Sequence, residues 1–567
     1  MFARRRAVTI LALCGGTAAL AYADSTPTFT RDIAPILYQN CAPCHRAAGS
    51  GPFPLVRYDD VKKHAHQIAD VTGRRYMPPW PPQLGYGAFQ DERRLTDEQI
   101  RCIAEWVRTG AAEGPATALP VPPTSDGDWQ LGAPDLVLKA AQPFTMRSSG
   151  PDVFWNFVFN PKIETIRNVR AIEIRPGGTE GGRNIHHANL LIDRMGSVRR
   201  LETAPGAGFA GMELTLDRNP FDPDSHFLFW KPGSLPHAEP DGLAWQLAPG
   251  NLLVLNTHMQ PSGKPETISP EVALYFTEKP PVLFPLLIQL ENDRALRVPP
   301  GARDFVVADD FSVPVDVDVL AVCPHAHYLG HVLEAYATLP DGTRRWLIRI
   351  PDWDLNWQAV YRYREPVFLP KGSIISMRYH YDNSAANLRN PNHPPKWVEA
   401  GNQANDEMAH LWLQVMARGE GDHRREIREA LMRHRLARDP NDFSAHLNLG
   451  AILMSRLDMQ GAIGMLERAV RIDPSSPEAH DMLGSALSSV GRSVEGMEEF
   501  RKALRTDPEY ASARHNLSRA LTRAGALLQR AGKPAEALTR FDEALALDPA
   551  NEEARVHRDN LQEITKR

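Results

Sequence analysis

The sequence predicts a multidomain chain. It begins with a small all-α domain, continues through two all-β sandwich subdomains of jelly-roll type, and ends in an α-helical repeat array. Three observations predict this order. A helix-start signal, Thr96-Asp97-Glu98-Gln99, follows a short cysteine-bearing segment near the N-terminus. Short apolar runs separated by turn residues fill the middle of the chain. Asp-Pro then recurs with proline at 440, 474, 508 and 549.

Each segment has its own justification. Residues 1–23 have the layout of an export signal. Arg4, Arg5 and Arg6 precede an apolar stretch, and Ala21-Tyr22-Ala23 supplies a small-x-small cleavage site. The expected compartment is periplasmic or extracellular. An uncleaved anchor is the alternative, and no later stretch is apolar enough to span a bilayer after cleavage. Residues 24–115 form the small helical domain, whose last helix runs from the capping box through Ile103 and Trp106 to about Gly110. Residues 116–128 hold Pro120, Pro122 and Pro123 and read as a linker.

Residues 129–290 and 291–420 are assigned to the two sandwiches. The expected strands include Val153–Phe159, Leu252–Leu255, Val272–Phe276, Phe305–Val307, Val315–Val322 and Trp346–Ile350, the last preceded by a hairpin turn at Asp341-Gly342. Residues 430–567 are the repeats. The Asp-Pro steps are 34, 34 and 41 residues, the last being the first two lengthened by seven, about two helical turns. That period, with Leu449-Gly450, Ala462, Ala469 and Pro474 and then Leu483-Gly484, Phe500, Ala503 and Pro508, resembles tetratricopeptide repeats. The resemblance implies a protein partner bound on a concave surface. The formal net charge of −5 and the absence of a polybasic run argue against nucleic acid.

Cys41-Ala42-Pro43-Cys44-His45 is the attachment signature of one covalently bound haem c. The two thiols sit one helical turn apart, and the following imidazole is the expected proximal ligand. Met77, in Tyr76-Met77-Pro78-Pro79-Trp80, is the expected distal ligand, with His64 and His66 as alternatives. Of five cysteines only Cys102 and Cys323 then remain outside the export signal, in different expected domains, so no disulfide framework is indicated.

The middle third carries a second set of ligands: His186-His187, His258, His325-Ala326-His327 and Met408. Residues two apart on a strand share a face, so His325 and His327 can grip one metal. A His-x-His pair fits zinc or non-haem iron as well as copper, but a thioether favours copper, and Cu(I) in particular. Adjacent residues face opposite ways, so His186 and His187 can meet one ion only across a bulge, and Gly181-Gly182 just upstream make one plausible. His226, His237, His331, His380, His393 and His410 read as structural or supporting groups.

The order His-His, His, His-x-His, then Asp406-Glu407-Met408, spread over residues 129–418, resembles the copper type II, ascorbate-dependent monooxygenases. Peptidylglycine α-hydroxylating monooxygenase and dopamine β-monooxygenase belong to that family. The resemblance implies two β-sandwiches facing a cleft and two copper ions. The first, on His186, His187 and His258, would store and relay an electron. The second, on His325, His327 and Met408, would bind O2 and substrate and hydroxylate an activated C–H bond. The substrate would be a small molecule or a peptide, and the reductant ascorbate or a redox protein, with the haem as an entry point for electrons. This chain departs from the family in having one cysteine, Cys323, in its β region, where the animal enzymes are stapled by disulfides. No substrate-recognition residue of the named enzymes can be placed. Two other functions compete: a non-catalytic haem and copper electron-transfer or copper-handling protein, and a zinc or iron enzyme using the same histidines.

Overall fold

The computed structural model describes residues 26–46, 49, 51–123, 129–177, 184–194, 196–211 and 226–566. The expected export signal at 1–23, Gly181-Gly182 and part of the expected linker lie outside the described residues. The chain divides into two units, 1–79 with 93–126, and 80–92 with 127–567. Among the described residues no helix is long and apolar enough to cross a membrane.

The first unit is helical: α1 (Ala34–Asn40), α2 (Tyr58–Lys63), α3 (Ala65–Gly73) and α4 (Asp97–Arg108). Pro35 opens α1, where its missing N–H costs nothing. The expected capping box opens α4. Gln99 N donates to Thr96 Oγ1 at 3.1 Å and Thr96 N donates to Gln99 Oε1 at 2.9 Å. The helix then buries Ile103 and Trp106, three residues apart on one face, against Phe29, Ile33, Leu37, Val61 and Ile68. The domain expected over 24–115 is not continuous, because residues 80–92 belong to the second unit. Pro78, Pro79, Pro81 and Pro82 cannot continue a helix, and the extended chain they start pairs with a strand instead. Gln90 N donates to Arg362 O and Arg364 N to Ala88 O, while Phe89 is buried beside Tyr361 and Tyr363.

The second unit holds two β-sandwiches and the repeats. In the first sandwich a five-stranded sheet runs in the order Phe209–Ala210, Val153–Phe159, Leu252–Met259, Ile185–Asp193, Phe229–Trp230. It packs on a four-stranded sheet through Phe157, Phe159, Ile185, Leu253, Leu255, Val272 and Leu274. In the second sandwich the sheet Leu286–Glu291, His410–Ala417, Val317–His325, Tyr361–Leu369 faces Phe305–Ser312, Ile374–Tyr381, Gly330–Thr338, Arg344–Ile350. Strand Leu286–Glu291 alternates buried and half-buried residues, as a strand with one core face should. It pairs with His410–Ala417, so the second sandwich starts at Leu286, a few residues before the 290/291 boundary expected from sequence. The Asp-Gly signal is where the hairpin turns, and Gly342 has φ +84°, which a side chain would resist.

The repeats form helices α5 (Arg424–Arg438), α6 (Phe443–Ser455), α7 (Met459–Ile472), α8 (Pro477–Ser489), α9 (Ser493–Thr506), α10 (Ala511–Arg530), α11 (Pro534–Leu547) and α12 (Glu552–Lys566). The array therefore starts at Arg424, ahead of residue 430. The seven-residue insert lies in α10, which has 20 residues where α6 and α8 have 13. The small residues of the motif sit where paired helices touch: a Cβ on Gly450 would meet Leu466 at 2.7 Å. Ile427, Leu431 and Met432 of α5 share one hydrophobic core with Leu286, Leu413 and Val415 of the second sandwich.

Candidate metal centre

Three imidazoles of the first sandwich converge. One nitrogen from each of His186, His187 and His258 lies within 4.8 Å of the others. The bulge needed for adjacent histidines is present: the pairing of Ile185–Asp193 with Leu252–Met259 shifts register between Ile185 and His187. His258, directly across from Phe154, stacks on that ring at 4.5 Å. Each ring is held from behind. His258 Nε2 donates to Asp152 Oδ2 at 2.8 Å, which lowers the Asp152 pKa. His186 Nε2 pairs with Asn356 Oδ1 at 3.1 Å, and its Nδ1 is buried without a hydrogen-bond partner. Burial lowers the pKa of His186 and takes that of His187 well down, so both rings are neutral at neutral pH, the form that ligates a metal.

The second group sits at the end of strand Val317–His325. His325 is the last strand residue and His327 lies just past it, so the shared strand face expected from sequence is not what aims them. The connection still brings the rings together, with centroids 5.2 Å apart and planes at 84°. His325 Nδ1 bonds Gln358 Oε1 at 2.7 Å and His327 Nδ1 donates to Asp406 O at 3.1 Å, which leaves Nε2 bare on both. Burial pushes His325 well down and His327 to about 4.

Met408 is tied to this pair through Glu407. One Glu407 oxygen accepts the backbone N–H groups of both His327 and Met408, and the other accepts that of Leu329 at 2.9 Å. Burial pushes the Glu407 pKa up to about 8, against the pull of those N–H donors. Met408, the three imidazoles of the first group and the two of the second line one cavity of about 950 Å³. Phe443, Leu447 and Asn448 of the repeats line it too. Cys323 also lies on that cavity as a buried strand residue, its thiol pushed up to about 12 by burial. His410 pairs across the strands from His325 and bonds Asp293 at 3.1 Å; burial opposes its charge, yet Asp293 and Glu291 raise its pKa. His226 meets Glu239 at 3.5 Å and His380 meets Asp304 at 2.5 Å.

Sequence reasoning missed Asp152, Asn356 and Gln358. Asn356 and Gln358 stand in a loop between strands with no periodicity or motif to mark them. Glu407 lies beside Met408 in Asp406-Glu407-Met408, where the sequence assigns it no role.

In the first unit, Cys41, Cys44 and His45 follow α1 in a turn closed by His45 N donating to Cys41 O at 2.9 Å. His45 Nδ1 donates to Phe53 O at 3.0 Å, leaving Nε2 bare, and burial lowers the pKa of the ring. The Cys41 thiol is pushed up to about 12 by burial and by Cys44. Met77 is half-buried after α3, with its N–H on Val71 O. His64 stacks on Phe53 at 3.7 Å, and His66 is exposed.

A tetratricopeptide repeat family model matches residues 424–477. No curated protein matches the chain. Among solved structures, a crystal structure of MamA is 19% identical over 25% of this chain and 90% of that chain, with a TM-score of 0.20. YrrB, described as a tetratricopeptide repeat protein with an unusual peptide-binding site, is 19% identical over 24% of this chain and 68% of its own, with a TM-score of 0.21. The C-terminal region is a tetratricopeptide repeat array.

Proposed function

We propose that this chain is an exported copper-dependent monooxygenase that hydroxylates an activated C–H bond with O2, drawing electrons from ascorbate or another reductant by way of a haem c carried in its first unit. One observation carries the reading: a three-imidazole group, a two-imidazole group and Met408 line a single cavity large enough for a small organic molecule.

The donor sets fit copper. The orphaned His186 Nδ1 is a buried lone pair with nothing to accept. Imidazole and thioether are the ligands copper prefers in its two working oxidation states. Bound there, copper would supply the one-electron chemistry toward O2 that no side chain has. The chain's own groups do the rest. Asp152 holds a proton on His258 Nε2, so that Nδ1 is the free ligand atom. The carbonyl of Asp406 does the reverse for His327. Glu407 keeps Met408 and His327 in step by accepting from both backbones. Trp412 and Leu355 among the cavity walls limit water around the reacting bond. In the first unit the Cys-x-x-Cys-His turn and the bare Nε2 of His45 suit a covalently attached haem, which Met77 is the candidate to hold as well. A haem there would supply a one-electron store.

A cavity of this size favours catalysis over the purely electron-transferring alternative, which needs no substrate room. The test is metal and haem analysis of the exported protein, followed by oxygen uptake with ascorbate across candidate substrates. Two coppers, one haem and substrate-dependent uptake with a hydroxylated product are expected. Haem-loaded protein that retains no copper ends the reading. Met408→His is expected to keep its metal and lose oxygen uptake, because a third imidazole removes the thioether's preference for Cu(I). Unchanged uptake in that variant removes Met408 from the site.

A further inference from the structure

The loop Trp353–Gln358 belongs to the second sandwich and touches both histidine groups. Trp353 Nε1 donates to the carbonyls of Ala326 and His327 at 3.1 and 3.2 Å. Asn356 meets His186. Gln358, 5% exposed, lies between the groups: its amide nitrogen is 3.0 Å from His187 Nδ1 and its amide oxygen 2.7 Å from His325 Nδ1.

A primary amide donates at one end and only accepts at the other. It therefore imposes opposite tautomers on the two rings. His325 carries its proton on Nδ1, which bares Nε2. His187 bares Nδ1 and takes the amide N–H there. Turning the amide over would exchange the two rings and keep the opposition.

In the first group, His186 and His258 both have Nε2 engaged, with Asn356 and Asp152, so Nδ1 is the ligand atom of each. His187, accepting the amide N–H at Nδ1, carries its proton on Nε2, so neither of its nitrogens is open to a metal until that N–H leaves. We infer that Gln358 competes with the metal for the His187 ring and so sets the affinity of the first site, while it fixes His325 in the ligand-ready tautomer of the second. A metal and an N–H cannot share one lone pair, so loading the first site requires the amide nitrogen to withdraw. The amide oxygen, still held by His325, is the pivot. Gln358 is thus a positioning residue that links the occupancy of the two sites. This inference rests on the copper reading of the histidine groups.

The test is titration of the full-length protein with Cu(I) against a chromophoric chelator. A His327→Ala background isolates the first site, and intact His327 gives both. Gln358→Leu fills the space without hydrogen bonds. Gln358→Asn keeps an amide too short to span both rings and serves if the leucine variant does not fold. Each is expected to raise first-site affinity by roughly threefold to tenfold, the worth of one net hydrogen bond, without raising that of the second site. Ring ¹⁵N shifts in histidine-labelled protein without added metal should show His187 protonated on Nε2 and His325 on Nδ1. Unchanged first-site affinity in both variants, or any other pair of tautomers on the two rings, overturns the role of Gln358 and leaves the copper reading standing. A parent protein that binds no copper overturns both.

Discussion

Glu407 organises the second histidine group and Met408 without being one of the proposed ligands. Its fully buried carboxylate accepts backbone N–H groups from His327, Leu329 and Met408, which lie on two segments far apart in sequence. Above its raised pKa of about 8 the group is a carboxylate and offers only acceptors, and here at least three donors use them. Glu407→Gln puts an NH2 where one of those donors points, so a buried N–H loses its partner. The expected loss is about 1–3 kcal/mol in urea unfolding at a pH above that value, with weaker copper retention at the proposed second site. Unchanged stability would mean that the carboxylate is not the clamp. The contrast with the ligands shows what a sequence discloses at this scale. His186-His187, His258 and the His-x-His pair were legible because their chemistry is distinctive and their spacing limits the backbone; even the bulge at His187 followed from two adjacent rings needing one side. Gln358, Asn356 and Asp152 were not legible, because each acts through a contact made only when separate loops and strands are folded together.

Among elements, the repeats were the easiest to read, because their 34-residue period is set by close helix packing. Gly484 is one such contact. A Cβ there would lie 2.7 Å from Phe500 and 2.8 Å from the backbone oxygen of Gly496. Phe500 can turn, but the backbone cannot, so Gly484→Ala should part α8 from α9 at about 1–3 kcal/mol, seen as a lower melting temperature of the repeats. The strand runs were legible for a similar reason, since continuous apolar runs such as Leu252–Leu255 are buried on both faces. The excursion of residues 80–92 was not, because Trp80 and Phe89 signal burial without saying against which surface. Nor was the start of the second sandwich at Leu286, where strand Leu286–Glu291 could have belonged to either core. That strand ends in Glu291, which burial gives a raised pKa despite Arg435 of α5 at 2.6 Å. A folded pKa above the unfolded value means that the stability Glu291 contributes is present below the ordinary carboxylate range and declines as pH rises through the raised value. Calorimetric scans over that window should therefore show a steeper fall for the parent than for Glu291→Gln. Equal slopes would assign the titration elsewhere.

At the scale of the whole molecule, the repeats are more than an appended partner module. Their first helix shares the core of the second sandwich, and α6 lends Phe443, Leu447 and Asn448 to the cavity that the histidine groups line. Polar contacts fix this docking. Asp309, its side chain 1% exposed, accepts from Arg438 and His434 of α5 and from the backbone N–H groups of Glu291 and Asp310. Arg294 adds an exposed pair with Asp439 at 2.7 Å, of little energetic weight. Removing one partner of a buried pair costs more than the pair itself contributes, because the remaining charge stays desolvated. Arg438→Met should therefore destabilise the junction by about 3–5 kcal/mol, and the double variant Asp309→Asn with Arg438→Met by less, since asparagine leaves no stranded charge even though its single oxygen accepts only one of the two backbone N–H groups. The signature in calorimetry is separation of one transition into two, with the repeats melting apart from the β region in the single variant. Limited proteolysis should then cut near residues 418–423, which join the last strand to α5. If Arg438→Met melts as the parent does and resists cleavage there, the apolar face of α5 alone holds the array, and the wall it gives the cavity does not depend on Asp309.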